Sequence, residues 1–170
     1  MDHDAGKTLF LEQAAAFYDD LKSAASHAPY GKVIDKAELF AIVAGRELIR
    51  SSLEAVIQGQ ITEVEQEQKN GTTYPCGGTR RHRGYTTKQV VTALNIIKCK
   101  RVYKECRVCL TSVSPADEPV GITGRYTVGL RRLAVKAGTM CSFDKAAENL
   151  EEFCGIKLSD NTIHDLCQKV

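Results

Sequence analysis

Residues 76–109 read CGGTRRHRGYTTKQVVTALNIIKCKRVYKECRVC, and the fold turns on how this stretch is read. Between Tyr85 and Tyr103 the residues alternate with a period of two, as in a strand whose side chains point to opposite faces in turn. Val90, Thr92 and Leu94 share one face of a first strand, and Ile97, Cys99, Arg101 and Tyr103 share one face of a second. Asn95 suits the turn between them, because Asn tolerates positive φ. This is a β-hairpin, with Cys99 where an inward hydrophobe belongs. At its exit stands a CxxC pair, Cys106-Arg-Val-Cys109. A zinc ribbon needs two such corners flanking a hairpin, since four thiolates must converge on one ion. The earlier corner, Thr73-Tyr-Pro-Cys76-Gly-Gly, has the Pro and Gly of a knuckle turn, but Thr73 stands where its first cysteine would be. Cys76, Cys106 and Cys109 are therefore the candidate zinc ligands, with His82 or Cys99 as sources of a fourth. A metal-free ribbon held by packing alone is the other reading.

The same stretch is strongly basic. Residues 71–117 carry 9 Lys/Arg against 2 Asp/Glu, a net of +7, between residues 1–70 at −5 and a neutral 118–170. Arg80, Arg81, His82, Arg83, Lys98, Lys100, Arg101, Lys104 and Arg107 are the candidate contacts to a polyanion. Basic side chains on a hairpin can neutralise several phosphates at once, and Arg can also read guanine edges. Double-stranded DNA is the expected partner; a solvated charged surface is the bland alternative.

Outward from the hairpin the period becomes helical. On the amino-terminal side, Leu9, Phe10, Ala14, Phe17, Tyr18 and Leu21 mark one helix, which His27-Ala-Pro-Tyr-Gly31 breaks. A longer helix is expected from about Asp35, read as an N-cap with Glu38 three residues on. Its stripe is Leu39, Ile42, Val43, Ile49, Leu53, Val56, Ile57, Ile61 and Val64, and its linker lies near residues 66–73. Either the two helices pack on each other, or residues 35–68 form a homodimer through Ile42, Ile49, Leu53, Val56 and Ile57; Arg46 and Gln60 interrupt a strict heptad.

On the carboxyl-terminal side, a loop holding Pro115, Pro119, Gly121 and Gly124 leads to a helix over about 127–137 that buries Leu130, Leu133 and Ala134. Ser142 caps a second helix with the stripe Phe143, Ala146, Ala147, Leu150 and Phe153, and Gly155 ends it. Ser159 caps a third helix, with Ile163, Leu166, Cys167 and Val170 inward. Helix, five-residue turn and helix is the outline of a helix-turn-helix. It makes Arg131, Arg132, Asn161 and His164 further DNA-contact candidates, against plain helical packing. The fold class is thus α+β, mostly α. A helical hairpin spans residues 1–68, a small zinc-ribbon-like β-hairpin spans 73–112, and a three-helix, helix-turn-helix-like unit spans 125–170.

Several function classes find no support in the residues. No apolar run approaches the roughly 20 residues of a membrane-spanning helix, and MDHDAGKT lacks the pattern of a signal peptide. A cytoplasmic location and reduced cysteines follow as expectations. The carboxylates read as solvated helix faces, and no phosphate loop or nucleophile elbow occurs, so the chain is not expected to be an enzyme.

Three stretches carry a resemblance to a known family. Gly45-Arg-Glu-Leu-Ile-Arg50 with Leu53 is similar to a GRELLR helix. Cys76-Gly77, Arg81-His82 and Thr92-Ala-Leu-Asn-Ile-Ile97, leading to Arg101, Tyr103 and Cys106, look like a CG, RH and TLLGxVxLxRxYYxC pattern, with Asn95 in place of the turn glycine. Gly129-Leu-Arg-Arg-Leu-Ala134, Ser142-Phe-Asp-Lys-Ala-Ala147 and residues 155–166 match GLRRLA, SFEEAA and GVxVSxxTVxxL. From about residue 40 onward the chain resembles the N-terminal, non-catalytic region of ISKra-type insertion-sequence transposases. The resemblance implies recognition of the element's DNA ends, with cleavage and strand transfer by an RNase H-like DDE catalytic part that is separate or joined by frameshifting. A stand-alone zinc-ribbon and helix-turn-helix regulator or transposition inhibitor is the alternative, and a decayed fragment a third.

Overall fold

The computed structural model describes residues 3–68 and 76–168, so Thr73, Val170 and most of the expected linker lie outside the described residues. Among the described residues are six helices and one three-stranded antiparallel sheet, an α+β, mostly α fold. Helices α1 (His3–Ser26) and α2 (Val33–Glu67) form an antiparallel hairpin closed by the turn at Pro29 and Gly31. Phe17 stacks on Phe40 at 6.0 Å between ring centroids, and the Ser51 hydroxyl donates to the Gln13 side chain at 3.3 Å.

Asp35 is not the N-cap of α2. Gly31, at φ +77°, lets the chain leave its turn early, and the helix starts at Val33 after Lys32. Asp35 instead lies in the first turn, where a carboxylate meets the positive end of the helix dipole.

The apolar stripe of α2 divides in two. Ile61 is fully buried, and Leu53, Ile57 and Val64 pack beside it against Val90, Ile97, Cys99, Ala116 and Ile122. Leu53 and Ile57, expected at a dimer seam, are thus partly covered by the chain's own ribbon. Leu39, Ile42, Val43, Ile49 and Val56 remain exposed. The cause is length: at 1.5 Å per residue, a helix of this size runs about 50 Å, far beyond the ribbon packed on its second half.

Strands β1 (Arg80–Thr92) and β2 (Asn95–Cys106) form the expected hairpin, with Thr92 opposite Asn95. Asn95 has φ +87°, the left-handed conformation its side chain tolerates. Leu94 belongs to the turn rather than to the strand face. The Thr92 hydroxyl accepts from its N–H at 3.0 Å and donates to the Asn95 carbonyl at 2.8 Å. A short strand the sequence reading missed, β3 (Ser112–Val113), pairs with Lys104 and Glu105 of β2.

On the side away from β1, and beyond its short pairing with β3, strand β2 has an edge that α2 covers with side chains. The N–H groups of Lys98, Lys100 and Val102 donate to Glu54, Gln58 and Glu65, the first two at 2.8 and 2.9 Å. Gln58 also donates back to the Lys100 carbonyl at 2.7 Å. These acceptors recur at helical spacing beside Ile61, so one face of α2 supplies both core and edge cover.

A single turn, α3 (Asp117–Val120), follows, and then α4 (Val128–Met140), α5 (Phe143–Cys154) and α6 (Asp160–Gln168). The three longer helices pack around Ala134, Ala146, Leu150, Ile163 and Leu166. Ser142 and Ser159 cap α5 and α6 as expected, while Thr127, expected as the first residue of its helix, is the N-cap of α4: the N–H groups of Leu130, Lys145 and Thr162 point at the three hydroxyls. Gly155 ends α5 at φ +67°, and residues 155–159 form the five-residue turn to α6. Helix α4 runs three residues past the expected end, and Phe153 is exposed instead of inward. Gly138 sits in close packing: a Cβ there would lie 3.0 Å from Cys167 Sγ, so that side chain would have to shift.

The helical unit is tied to the hairpin tip. The Val91 N–H donates to Arg125 at 2.7 Å, and the Thr127 N–H donates to the Val91 carbonyl at 3.0 Å. Val91, Leu130 and Ile156 form a small core. Arg46 and Asn95 donate to the Phe153 and Gly155 carbonyls at 2.6 and 3.2 Å, so α2 and the turn together cover the end of α5. No described helix is long and apolar enough to cross a membrane.

Replacing Ile61 by Ala should cost about 2–4 kcal/mol in equilibrium denaturation, since it opens a cavity in a closed core. Val56→Ala, more than half exposed on the same helix, should change stability by less than about 0.5 kcal/mol.

Candidate metal centre and nucleic-acid face

The root of the hairpin brings three cysteines together. The sulfurs of Cys76, Cys106 and Cys109 all lie within 4.8 Å of one another, and Cys76 Sγ is 3.4 Å from each of the other two. Cys106 is buried while Cys76 and Cys109 are exposed, so the cluster opens to solvent on one side.

Local backbone shapes this convergence. The residue after Cys76 is Gly77 at φ +75°, and the residue after Cys109 is Leu110 at φ +57°. In each case the left-handed step turns the next N–H, of Gly78 or Thr111, onto the preceding sulfur. The Val108 N–H likewise points at Cys106 Sγ at 3.4 Å. Such N–H···S contacts stabilise thiolates. Gly78 is sterically obligatory, because a Cβ there would sit 2.5 Å from Cys106 Sγ. The Thr111 hydroxyl, the Thr111 N–H and the Cys76 thiol pull Cys109 down to about 7. Cys76 moves the other way: the Gly78 N–H favours its thiolate, but the Cys109 and Cys106 thiols beside it and desolvation outweigh that.

These three cysteines can hold a metal ion. Neither residue considered as a fourth ligand joins them. Cys99 is a core residue, 1% exposed, and burial pushes its thiol up. His82 is on the surface with its ring edge-on to Tyr85 at 5.7 Å.

The basic residues separate into two groups. Arg101 faces inward with Ile97 and Cys99 and is ion-paired to Asp117; only 12% of its side chain is exposed. It is a structural cation, not a surface contact. Lys88 reaches the same carboxylate at 3.9 Å. Arg83 is paired with Glu105, and Lys104 donates to the Gln68 carbonyl at 3.3 Å. Arg80 is half-buried and lines a polar recess with Arg101, Tyr103, Ser112 and Asp117. Arg81, Lys98, Lys100 and Arg107 are exposed.

Lys98 and Lys100 lie on the outward face of the hairpin, opposite Gln89 and Thr87. Tyr85 belongs to the same face, and Lys100 Nζ stands 5.1 Å from the centre of its ring. Tyr85, Thr87 and Gln89 were missed as candidates, although the inward assignment of Val90 already places odd-numbered β1 residues outward. Val91, at the tip, is the exception that the helical unit covers. Nearby Arg125 packs on the Tyr126 ring at 5.6 Å and is a further exposed cation that sequence reading passed over.

In the helical unit, Arg132 is exposed and Arg131 is half-buried. Asn161 and His164 are exposed on α6. His164 meets the Phe143 ring edge-on at 5.3 Å and Gln168 at 3.0 Å, with Asp165 3.7 Å away. No protein-family model matches the chain, and comparison with curated proteins finds no match.

Gly78→Ala should force Cys106 Sγ away from its partners and weaken cadmium(II) binding, followed by thiolate absorbance, roughly 10–100-fold. Gly129→Ala, where an added Cβ has nothing within 4 Å, should leave the titration unchanged.

Proposed function

We propose that this chain is a zinc-ribbon DNA-binding protein, the non-catalytic part of an insertion-sequence transposase that holds duplex element ends for a separate DDE catalytic part. The observation that carries the DNA-binding reading is the juxtaposition at the hairpin: three convergent thiols at its root and an outward face, Tyr85, Thr87, Gln89, Lys98 and Lys100, that contains no carboxylate. Zinc bound by the thiolates would contribute folding energy at the root and fix the basic knuckle residues relative to the strands. The transposase assignment rests on the sequence resemblance, carried most specifically by the ribbon motif and by the GLRRLA- and SFEEAA-like helices.

A two-stranded ribbon fits the major groove, and Lys98 and Lys100 project from the same exposed face of it. The ion pairs made by Arg83 and Arg101 lower the expected number of phosphate contacts to those of the exposed group, Arg81, Lys98, Lys100 and Arg107. With four such contacts, log affinity for duplex DNA should fall against log salt with a slope of roughly −4. Lys98→Ala with Lys100→Ala should reduce that slope by about two units and leave stability unchanged, whereas Arg101→Ala should act on stability, because it leaves Asp117 without its main partner. Gel shifts across a salt series decide this. Binding that is undetectable, or unchanged by salt, contradicts the proposal. The same samples with Mg²⁺ or Mn²⁺ should show no strand cleavage; metal-dependent cutting by the pure chain contradicts the assignment of chemistry to another part.

A further inference from the structure

The two corners of the ribbon share a local pattern after their cysteines. Cys76, Gly77 and Gly78 match Cys109, Leu110 and Thr111: a sulfur, a left-handed residue, and an N–H turned back on the sulfur. Cys106 lies three residues before Cys109, and its counterpart three residues before Cys76 is Thr73. A neutral threonine hydroxyl is a poor ligand for zinc, which takes thiolate, imidazole or carboxylate. The rest of the segment cannot replace it, since residues 69–75 contain no Cys, His, Asp or Glu. Among the described residues, the group of possible ligands at this point is the three cysteines alone.

We propose that an ion held here keeps one coordination position for a ligand from solution, and that a small external thiolate occupies it. This rests on the zinc reading above. Three features argue for thiolate. The site already consists of sulfur donors and selects soft ligands. Its open side lies between the exposed Cys76 and Cys109, with Cys106 buried behind them. Fourfold thiolate ligation of Zn²⁺ carries a net charge of −2, which suits a knuckle that has Arg107 inside its CxxC and Arg80 and Arg81 paired across from Cys106 and Glu105. A thiol enters as its thiolate, forms one metal–sulfur bond, displaces whatever weaker ligand was there and releases its proton to solvent. As a source of sulfur, a second copy of the chain is a poorer donor, because its cysteines outside the cluster are buried or packed into cores: Cys99 in the ribbon, and Cys141, Cys154 and Cys167 among the helices.

Cobalt(II) replaces zinc as a visible probe, and 2-mercaptoethanol serves as the thiol. The wild-type cobalt protein should show shifted d–d bands on adding mercaptoethanol, with thiolate charge-transfer intensity rising by about a third as three sulfur ligands become four. Thr73→Cys should show the four-sulfur spectrum from the start and no response to mercaptoethanol. It should also hold zinc at least roughly tenfold more tightly in competition with a chelator. A wild-type cobalt spectrum that mercaptoethanol leaves unchanged overturns the proposal while the zinc reading stands. So does a four-sulfur spectrum without added thiol, including one that depends on protein concentration and so marks a second copy's cysteine. Failure of the folded wild type to take up cobalt or zinc overturns the zinc reading and this proposal with it.

Discussion

Strand β2 is paired with β1 along one side, and on its other side only Lys104 and Glu105 meet another strand. The amides of Lys98, Lys100 and Val102 would otherwise form an open edge, a template for pairing with other chains. Helix α2 closes that edge with Glu54, Gln58 and Glu65 while it buries Ile61 against Ile97 and Cys99. These side chains occupy the amides that an open edge would present, next to the apolar contact made by the same helix. A two-stranded hairpin is marginal alone in water. Here the hairpin is held because a helix supplies both an acceptor ladder and a core.

The remaining arrangement follows from that contact. With α2 on the edge of β2 and Ala116 and Ile122 against the inward face, that face is closed to any partner. The helical unit covers the tip through Val91, Leu130 and Ile156, and Arg46 and Asn95 cover the last carbonyls of α5. Among the described residues of the ribbon, what stays open is one face of the hairpin, bearing Tyr85, Thr87, Gln89, Lys98 and Lys100, and the cysteine root with Arg107. The ionic contacts sort the cations the same way. The inward Arg101 is consumed by Asp117, while the outward lysines are left to the solvent side.

Much of this was legible locally. Ser142 and Ser159 cap helices because a hydroxyl before an apolar stripe has one common use, and Gly155 ends α5 because it takes φ +67° without penalty. Asn95 was readable as a turn residue, and the period of two located the hairpin. The three convergent cysteines were readable from CxxC and CGG spacing. What was not legible depends on distant partners. Glu54, Gln58 and Glu65 look like an ordinary solvated helix face until β2 is laid beside them. Arg101 shares a strand face with the inward Ile97 and Cys99, yet it counts as one more base for a polyanion until its partner Asp117, distant from it and in a Pro- and Gly-rich stretch, is laid against it. Arg46 looked like a defect in a heptad, and its use at the end of α5 spans 107 residues of sequence. The two-residue strand β3 is too short to leave a period at all.

The central claim is that duplex DNA meets the protein on the open face of the hairpin and at its cysteine root. Amide shift mapping by NMR of the zinc-loaded full chain, titrated with a short mixed-sequence duplex at low salt, tests this most directly. The account predicts that the largest shifts fall at residues 81, 85–89, 98–100 and 107, and that Ile61 and the exposed half of α2 around Ile42 stay unperturbed. Shifts concentrated on α1 and α2, or on α6 alone, would contradict it.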